Sequence, residues 1–458
     1  MHGFERRHTV AQALAWLDAY LRPLDSETVP LRDAAGRVLA ADVISDVDVP
    51  AFARATMDGY AVVADATDGA SAYNPITLRV VGEALPGRPF AGSVSRDDAV
   101  RIMTGAPLPA DTDAVVPAEF VESDPHAPEL VAVLSSVSRT KNIGTRGEDV
   151  LAGTTVLPTG RVLRPQDLGV MSSIGIADAR VVRQPRVRLV ITGNELLSSG
   201  SRPHGFFITD ANGPMLAALA TRDGAVVEFP GIVRDEAEDI LAALVGPPEG
   251  GPHDSLVDDD AHMGAAFRRP ETNAALGAAF RRAETNATVG AAFRRPDHVD
   301  APDIIIVSGG SSVGIEDLAP TLVAKHGELA VHGIAMRPSS PTGMGRIGEA
   351  LVFLLPGNPV SALCAYDFFA GRAIRALGGR SKEWPYRSVR GRLTRKISSP
   401  IGRLDYARVK VSGADVEPLT VGGASILSST TRADGFVIVA DDSEGFPAGT
   451  DVDIWLYA

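Results

Sequence analysis

One cysteine, Cys364, is all that 458 residues contain. A disulfide framework and a cysteine-rich zinc site are both excluded. Cys364 lies in the apolar run "VSALCAYDFF", where a thiol acts as a small buried hydrophobe before it acts as a nucleophile. Positive charge is also in deficit. The 44 Lys and Arg residues face 57 Asp and Glu, a formal net charge of −13. DNA or RNA needs a basic surface to neutralise its phosphates, so no nucleic-acid partner is expected. A small phosphorylated ligand is not excluded, because one loop and one metal ion suffice to hold it. No apolar run approaches the ~18–20 residues of a membrane span. The opening "MHGFERRHTV" has no apolar signal-peptide core. A cytoplasmic protein without membrane attachment is expected. Aromatics make up only 5% of the chain, but 45% of it is hydrophobic, which fits a soluble protein with a real core. The length allows about two to four domains.

The spacing of apolar residues in "VAQALAWLDAYL" predicts an amphipathic helix over Val10–Leu21. Short apolar runs follow, broken by Gly and Pro. "ITLRVVGEALPGRPF", "DAVRIMTG" and "ELVAVLSSV" read as strands of a β-rich domain over 52–146. The pattern changes at Pro185. Strand-like "RVRLVITG", "AVVEFPGIV", "DIIIVSGG" and "ALVFLLPG" alternate with helix-like "NGPMLAALATRDG", "DEAEDILAALVG", "EDLAPTLVAKHG" and "VSALCAYDFFAGRAIRALG". Such alternation predicts βαβ units, hence an α/β domain with a doubly wound parallel sheet over 185–380. From 384 to 458, "VRGRLTRKI", "LDYARVKVSG", "DGFVIVADD" and "DVDIWLYA" predict a small β-barrel-like C-terminal domain. Residues 247–302 fit none of this. There "GAAFRR" recurs from Gly264, Gly277 and Gly290 with a period of 13. That period is too short for a solenoid. A low-complexity insertion without catalytic role is expected.

Parallel sheets bind ligands at the carboxyl ends of their strands. Three predicted strand ends carry Gly-containing loops: "TGNE", "SGGSSVG" and "PGNPVSA". In the second, successive N–H groups of a Gly-rich turn form an anion-attracting concavity. Ser308, Gly309, Gly310, Ser311, Ser312 and Gly314 are its candidate ligand contacts. Glu316 and Asp317 follow. They either favour a helix start or, for Asp317, face the anion through a hard cation such as Mg²⁺. Glu195 follows a strand, as a ligand contact or a cap. Asp210 fits an N-cap. Pro356 and Pro359 stiffen a loop in which Gly357 and Asn358 keep free N–H donors. In the N-terminal half, Asp58, Thr104, Arg146, Glu148 and Asp149 sit in polar turns beside Gly. Nothing in their spacing says what those turns meet.

In this order, "TMDGYAV", "IMTGAPLPADTDAVV", "RGEDV", "ITGNEL", "SGGSSVG" with Asp317, "LPGNPVSA" and "LSSTTRADGFVIV" resemble the MoeA family of molybdopterin molybdenumtransferases, which includes the C-terminal part of gephyrin. The resemblance covers nearly the whole chain outside 247–302. It implies ligation of molybdate into adenylylated molybdopterin with release of AMP, assisted by Mg²⁺. It implies a homodimer and admits contact with molybdopterin adenylyltransferase. A discontinuous linker and dimerisation domain over 1–51 and 147–184 is implied too. So is an active cleft joining the α/β domain of one subunit to the β-rich domain of the other. Carried onto this chain, the catalytic residues are Asp149, Glu195 and Asp317, with Asp58 and Thr104. Glu195 and Asp317 are the metal contacts, and Pro356 and Pro359 shape the cleft wall. Asp235 in "IVRDE" matches a family acid and equally fits a helix cap. The chain departs from the family in its cations. Arg337 keeps one positive charge and is the expected anion contact. Ser340, Gly333, Gly144 and Thr145 stand where basic residues are frequent, and Asn194 stands where Asp is common. A close charge pair is worth ~1–4 kcal/mol at effective dielectrics of 80 to 20, so weaker anion binding is expected. The alternatives are a weakly active or non-catalytic paralogue that holds cofactor as a scaffold, a preference for tungstate, and molybdopterin adenylylation.

Overall fold

The computed structural model describes residues 7–246, 301–309, 318–420 and 425–457. The chain forms two compact units, Ser26–Val182 and the discontinuous Met1–Asp25 with Arg183–Ala458. The predicted repeat insertion lies outside the described residues up to residue 300.

In the unit Ser26–Val182, short strands dominate, as their Val-rich, Gly-punctuated sequence dictates. Six of them form one sheet in the order Ala114–Pro117, Gly59–Val62, Asp98–Ile102, Ile76–Ala84, Ala127–Val133, Val121–Asp124. One apolar cluster includes Val62, Leu78, Ala99 and Val116, and another includes Ala61, Val100, Ile102 and Val115. Alternate residues of the central strands thus feed different clusters. A third cluster gathers Leu39, Leu163, Met171 and Val181 around the helix Pro165–Ser173. Pro165 presets φ for the first helical turn. The Asp167 carboxylate accepts from the Arg164 N–H and takes guanidinium bonds from Arg161 and Arg164. Those guanidiniums, Arg161 foremost, hold its carboxyl well below the usual carboxylate range.

The other unit opens with the helix Val10–Asp18. Thr9 and Gln12 close a reciprocal capping box at its start. The helix is shorter than the spacing predicts, because after Asp18 the N–H groups of Ala19, Tyr20 and Leu21 bond three residues back, to Trp16, Leu17 and Asp18, in a tightened turn. A seven-stranded sheet follows, in the order Val226–Glu228, Arg186–Thr192, Ile304–Ser308, Ala350–Leu355, Gly343–Ile347, Glu328–His332. The first four are parallel in register, and Ile232–Val233 pairs parallel with the end of Arg186–Thr192. The last two are antiparallel, so the sheet is mixed where sequence alone predicts parallel strands. Helices cover both faces. One core packs Asn212–Arg222 and Pro359–Leu377 against Val187, Leu189, Ile304, Ile306 and Phe353; the other packs Ala237–Val245 and Leu318–His326 against Val190, Ile305, Val307 and Val352. That is the doubly wound α/β arrangement expected, and burial on both faces explains the unbroken apolar strands.

C-terminal to it, Leu404–Ser412 pairs with both Asp415–Thr420 and Gly435–Val439. Arg387–Leu393 pairs with Asp415–Thr420 and with Asp451–Leu456, which in turn pairs with Gly435–Val439. The ring therefore closes into a five-stranded barrel around Ala407, Val409, Val437 and Ile454. No helix among the described residues is long and apolar enough to cross a membrane.

Candidate functional site

A cavity of about 510 Å³ opens at the carboxyl ends of the central parallel strands. The strand Arg186–Thr192 brings Thr192, Gly193 and Glu195 to it. Ile304–Ser308 brings Ser308 and Gly309, and Ala350–Leu355 runs into Pro356, Gly357, Asn358 and Pro359. These are the three loops the sequence singled out, and they converge. Asp210, Asn212 and Asp235 also line the wall.

Asn212 clips two of the loops together. Its Nδ2 donates to Ser308 Oγ at 2.9 Å and to the Gly357 carbonyl at 2.7 Å. The carbonyl can only accept, which fixes the amide orientation. Asn212 Oδ1 is then buried without a partner among the described residues. Asp210 Oδ1 accepts from the N–H groups of Asn212 and Gly213, each at 2.9 Å. It thus bonds the first two N–H groups of the helix Asn212–Arg222 from one residue before the cap position, which Ala211 holds. Gly213 is a close-packed position, since a Cβ there would lie 2.2 Å from Asp210 Oδ2 and 2.8 Å from the Phe229 ring. Gly213→Ala should therefore cost ~1–3 kcal/mol of stability and loosen the Asn212 clip. Thermal unfolding of the variant checks this.

Asp235 is not the cap that "RDE" suggests. The helix Ala237–Val245 takes Glu236 as N-cap, with no side-chain cap bond. Asp235 instead faces the cavity, with Oδ1 buried and without a partner among the described residues, while its N–H donates to Asn194 Oδ1 at 3.2 Å. Thr192 Oγ1 is likewise buried without a partner. Buried polar atoms are normally satisfied, and leaving one bare costs about 1–3 kcal/mol. Three such atoms in one wall mark a place built for a ligand. Glu195 is exposed at the mouth. Carboxylate oxygens of this kind suit a hard divalent cation such as Mg²⁺. No group of three or more His, Cys, Asp or Glu side chains with metal-holding geometry occurs among the described residues. The expected contacts Gly310, Ser311, Ser312, Gly314 and Asp317 lie outside those residues.

Arg337 has a partner that its sequence context does not show. It is absent from the cavity wall and forms an ion pair with the fully buried Asp405, across the parallel pairing of Met336–Arg337 with Leu404–Asp405. Asp405 also lies 3.5 Å from Arg403. The guanidinium thus fastens the barrel to the segment before it. Gly357 and Asn358 keep N–H groups without an acceptor among the described residues. Cys364 is buried, and burial pushes its thiol up well above the ordinary value, so it is a core residue as its sequence context implies.

In the unit Ser26–Val182, Asp58 Oδ1 accepts from the Thr104 N–H and hydroxyl, both at 2.7 Å. Those donors, the N–H foremost, hold the Asp58 carboxyl below the usual carboxylate range. The strand Arg54–Ala55 lies beside both other polar turns. Ala55 N–H donates to Ala106 O and Gly105 N–H to Ala55 O, while Thr56 N–H donates to Asn142 O. Asp149 is exposed, and its N–H donates to Val49 O at 3.0 Å. The three turns that spacing left unconnected are therefore neighbours around residues 49–56.

Comparison with known proteins matches most of the chain. Residues 8–175 match the family model described as "MoeA N-terminal region (domain I and II)", residues 282–376 "Probable molybdopterin binding domain", and residues 390–457 "MoeA C-terminal region (domain IV)". Molybdopterin molybdenumtransferase 2 of Mycobacterium tuberculosis is 32% identical over 437 residues, covering 93% of this chain and 94% of that protein. Molybdopterin molybdenumtransferase of Haemophilus influenzae is 30% identical over 441 residues, covering 94% of each. A crystal structure of the molybdopterin biosynthesis MoeA protein from Pyrococcus horikoshii superposes with a TM-score of 0.71 at 27% identity, covering 99% of this chain and 100% of that one.

Proposed function

This chain belongs to the MoeA family, and we propose that it ligates molybdate into adenylylated molybdopterin with release of AMP. It is a transferase of molybdenum cofactor biosynthesis, with molybdopterin and molybdate as substrates. One observation carries the finer reading: a cavity at the strand ends lined by the carboxylates of Glu195, Asp210 and Asp235, with three buried polar atoms that have no partner among the described residues. Glu195 and Asp235 would hold Mg²⁺ there, together with Asp317. The cation would supply positive charge between molybdate, the phosphates and the dithiolene, which otherwise repel one another. The chain's own groups bind and orient. The Asn212 clip fixes the Ser308 strand end against Gly357, and the free N–H groups of Gly357 and Asn358 offer neutral donors to phosphate oxygens. Pro356 and Pro359 restrict that loop, so it loses little freedom on binding.

Asp58, Thr104 and Asp149 are proposed to serve the same reaction, with the protein acting as a cytoplasmic homodimer that meets molybdopterin adenylyltransferase. The decisive experiment is reconstitution with adenylylated molybdopterin, Mg²⁺ and either molybdate or tungstate, following AMP. AMP release dependent on molybdate is expected. Tight nucleotide binding with no AMP release under any metal oxyanion would leave a scaffold instead.

A further inference from the structure

We propose that Arg54 is the cation that receives the reaction's tetrahedral oxyanion in the unit Ser26–Val182, with Glu148 holding the guanidinium until that anion arrives. The inference rests on the proposed reaction for the identity of the anion, and on local geometry for the residue. Arg54 and Gly144 are directly opposite in the two-residue antiparallel pairing of Arg54–Ala55 with Ile143–Gly144. Gly144 carries no side chain, and a Cβ there would fall 2.7 Å from Glu148 Oε1. Its absence is what lets Glu148 fold back, with Oε2 accepting from the Thr145 N–H at 3.0 Å. The Glu148 carboxylate then lies 3.5 Å from the Arg54 guanidinium, beyond ordinary hydrogen-bond length, with the two side chains 45% and 39% exposed.

Two other arginines of this region are committed more closely. Arg146 Nε bonds Asp48 at 2.6 Å, and that carboxylate also accepts from the Ala152 N–H. Arg139 is shared between Asp65 and Asp113. Arg54 is held by one long contact, and an exposed pair of that kind adds almost nothing to stability. Its position is functional in character as well. The short strand that carries it bridges Pro107 and bonds to the turn beginning at Thr104, whose hydroxyl grips Asp58. A guanidinium forks onto two oxygens of a tetrahedral anion with shorter bonds than this carboxylate contact provides. An arriving dianion therefore displaces Glu148 readily.

The test uses the full-length protein and two readouts. In calorimetry with sodium molybdate alone, and separately with inorganic phosphate alone, Arg54→Ala should weaken binding roughly tenfold, while the unfolding midpoint stays at the wild-type value. Loss confined to molybdate assigns the metal oxyanion, and loss confined to phosphate assigns the substrate's phosphate. In turnover, Arg54→Ala should raise the KM of the affected substrate with kcat changed less. Adding Gly144→Arg to Arg54→Ala should restore affinity from across the strand pair, because the obstructing atom is the flexible end of Glu148. Glu148→Gln should tighten binding. Unchanged oxyanion affinity in Arg54→Ala, or a wild-type protein that binds neither anion, overturns the inference. A wild type that binds the anion through Arg54 but releases no AMP leaves it standing and removes the proposed reaction instead.

Discussion

Asp235→Asn is expected to reduce molybdate-dependent AMP release by ~10²–10³-fold, the scale of removing one preorganised electrostatic group from an active site. Its thermal midpoint should stay level or rise. The two expectations come from one observation. Asp235 keeps one carboxylate oxygen buried and without a donor, on the wall of the strand-end cavity. A carboxylate placed this way weakens the fold unless a cation joins it. The amide is nearly isosteric, carries no charge, and still allows the Asp235 backbone N–H to reach Asn194. A residue kept for architecture would behave in the opposite way. Mg²⁺ should raise the wild-type midpoint, since an ion that binds only the folded state stabilises it by mass action. That shift should vanish in Asp235→Asn. Glu195→Gln should lose activity similarly with little change in stability, because Glu195 is already exposed. Retention of activity within threefold, or a large fall in midpoint for Asp235→Asn, would move Asp235 from chemistry to scaffold.

The uneven legibility of the site has physical causes. "VRLVI", "DIIIV" and "ALVFLL" read as buried strands because helices cover both faces of that sheet, and their Gly- and Pro-containing ends therefore pointed to the ligand edge. "ELAVH" and "GMGRI" did not read as strands. The first lies directly after a helix between Gly327 and Gly333, the second is broken by glycine, and they form the antiparallel edge of the sheet. Asp235 stayed ambiguous because an acid just before a helix fits capping equally well, and Asn212 went unnoticed as the first residue of a helical segment. In the folded chain Glu236 occupies the cap position while Asp235 faces the cavity. The pairing of Arg337 was illegible for a related reason. Its sequence context shows a lone cation, and nothing nearby reveals Asp405, 68 residues later, as its partner. Arg54 escaped notice because its neighbour Gly144 is set by strand register, which motif spacing does not encode.

The second large effect concerns Asp367, in a π-helical stretch, Tyr366–Ala370, that interrupts the helix Pro359–Leu377. Its side chain is fully buried. The carboxylate accepts from Tyr386 at 2.8 Å and Tyr406 at 3.2 Å, with Arg222 3.9 Å away. Arg222 and Arg375 are both bonded to Asp223, which also takes the Tyr366 hydroxyl. Burial outweighs the tyrosine and arginine contacts and pushes the Asp367 carboxyl up from 3.8 to about 6. Below pH 3.8 the group is protonated in both states and imposes no penalty. As pH rises, the unfolded chain releases its proton first, and stability is lost until pH passes the folded value. Two units correspond to about 3 kcal/mol. The stability difference between Asp367→Asn and wild type should therefore grow by about 3 kcal/mol from pH 4 to pH 7 and then level off. Taking the difference removes the other carboxylates, which shift the opposite way. Asp18, for instance, is held below its usual range chiefly by its hydrogen bond to Arg372, and favours the fold as pH rises. Trp384 and Trp455 pack edge-on at 5.1 Å, and the Trp384 indole N–H donates to the Asp367 carbonyl, so tryptophan fluorescence reports unfolding where the charge sits. A difference curve that stays flat across this range would mean that Asp367 is ionised and well solvated in the folded protein, and that the tyrosine pair, with Arg222 beside it, fully replaces water.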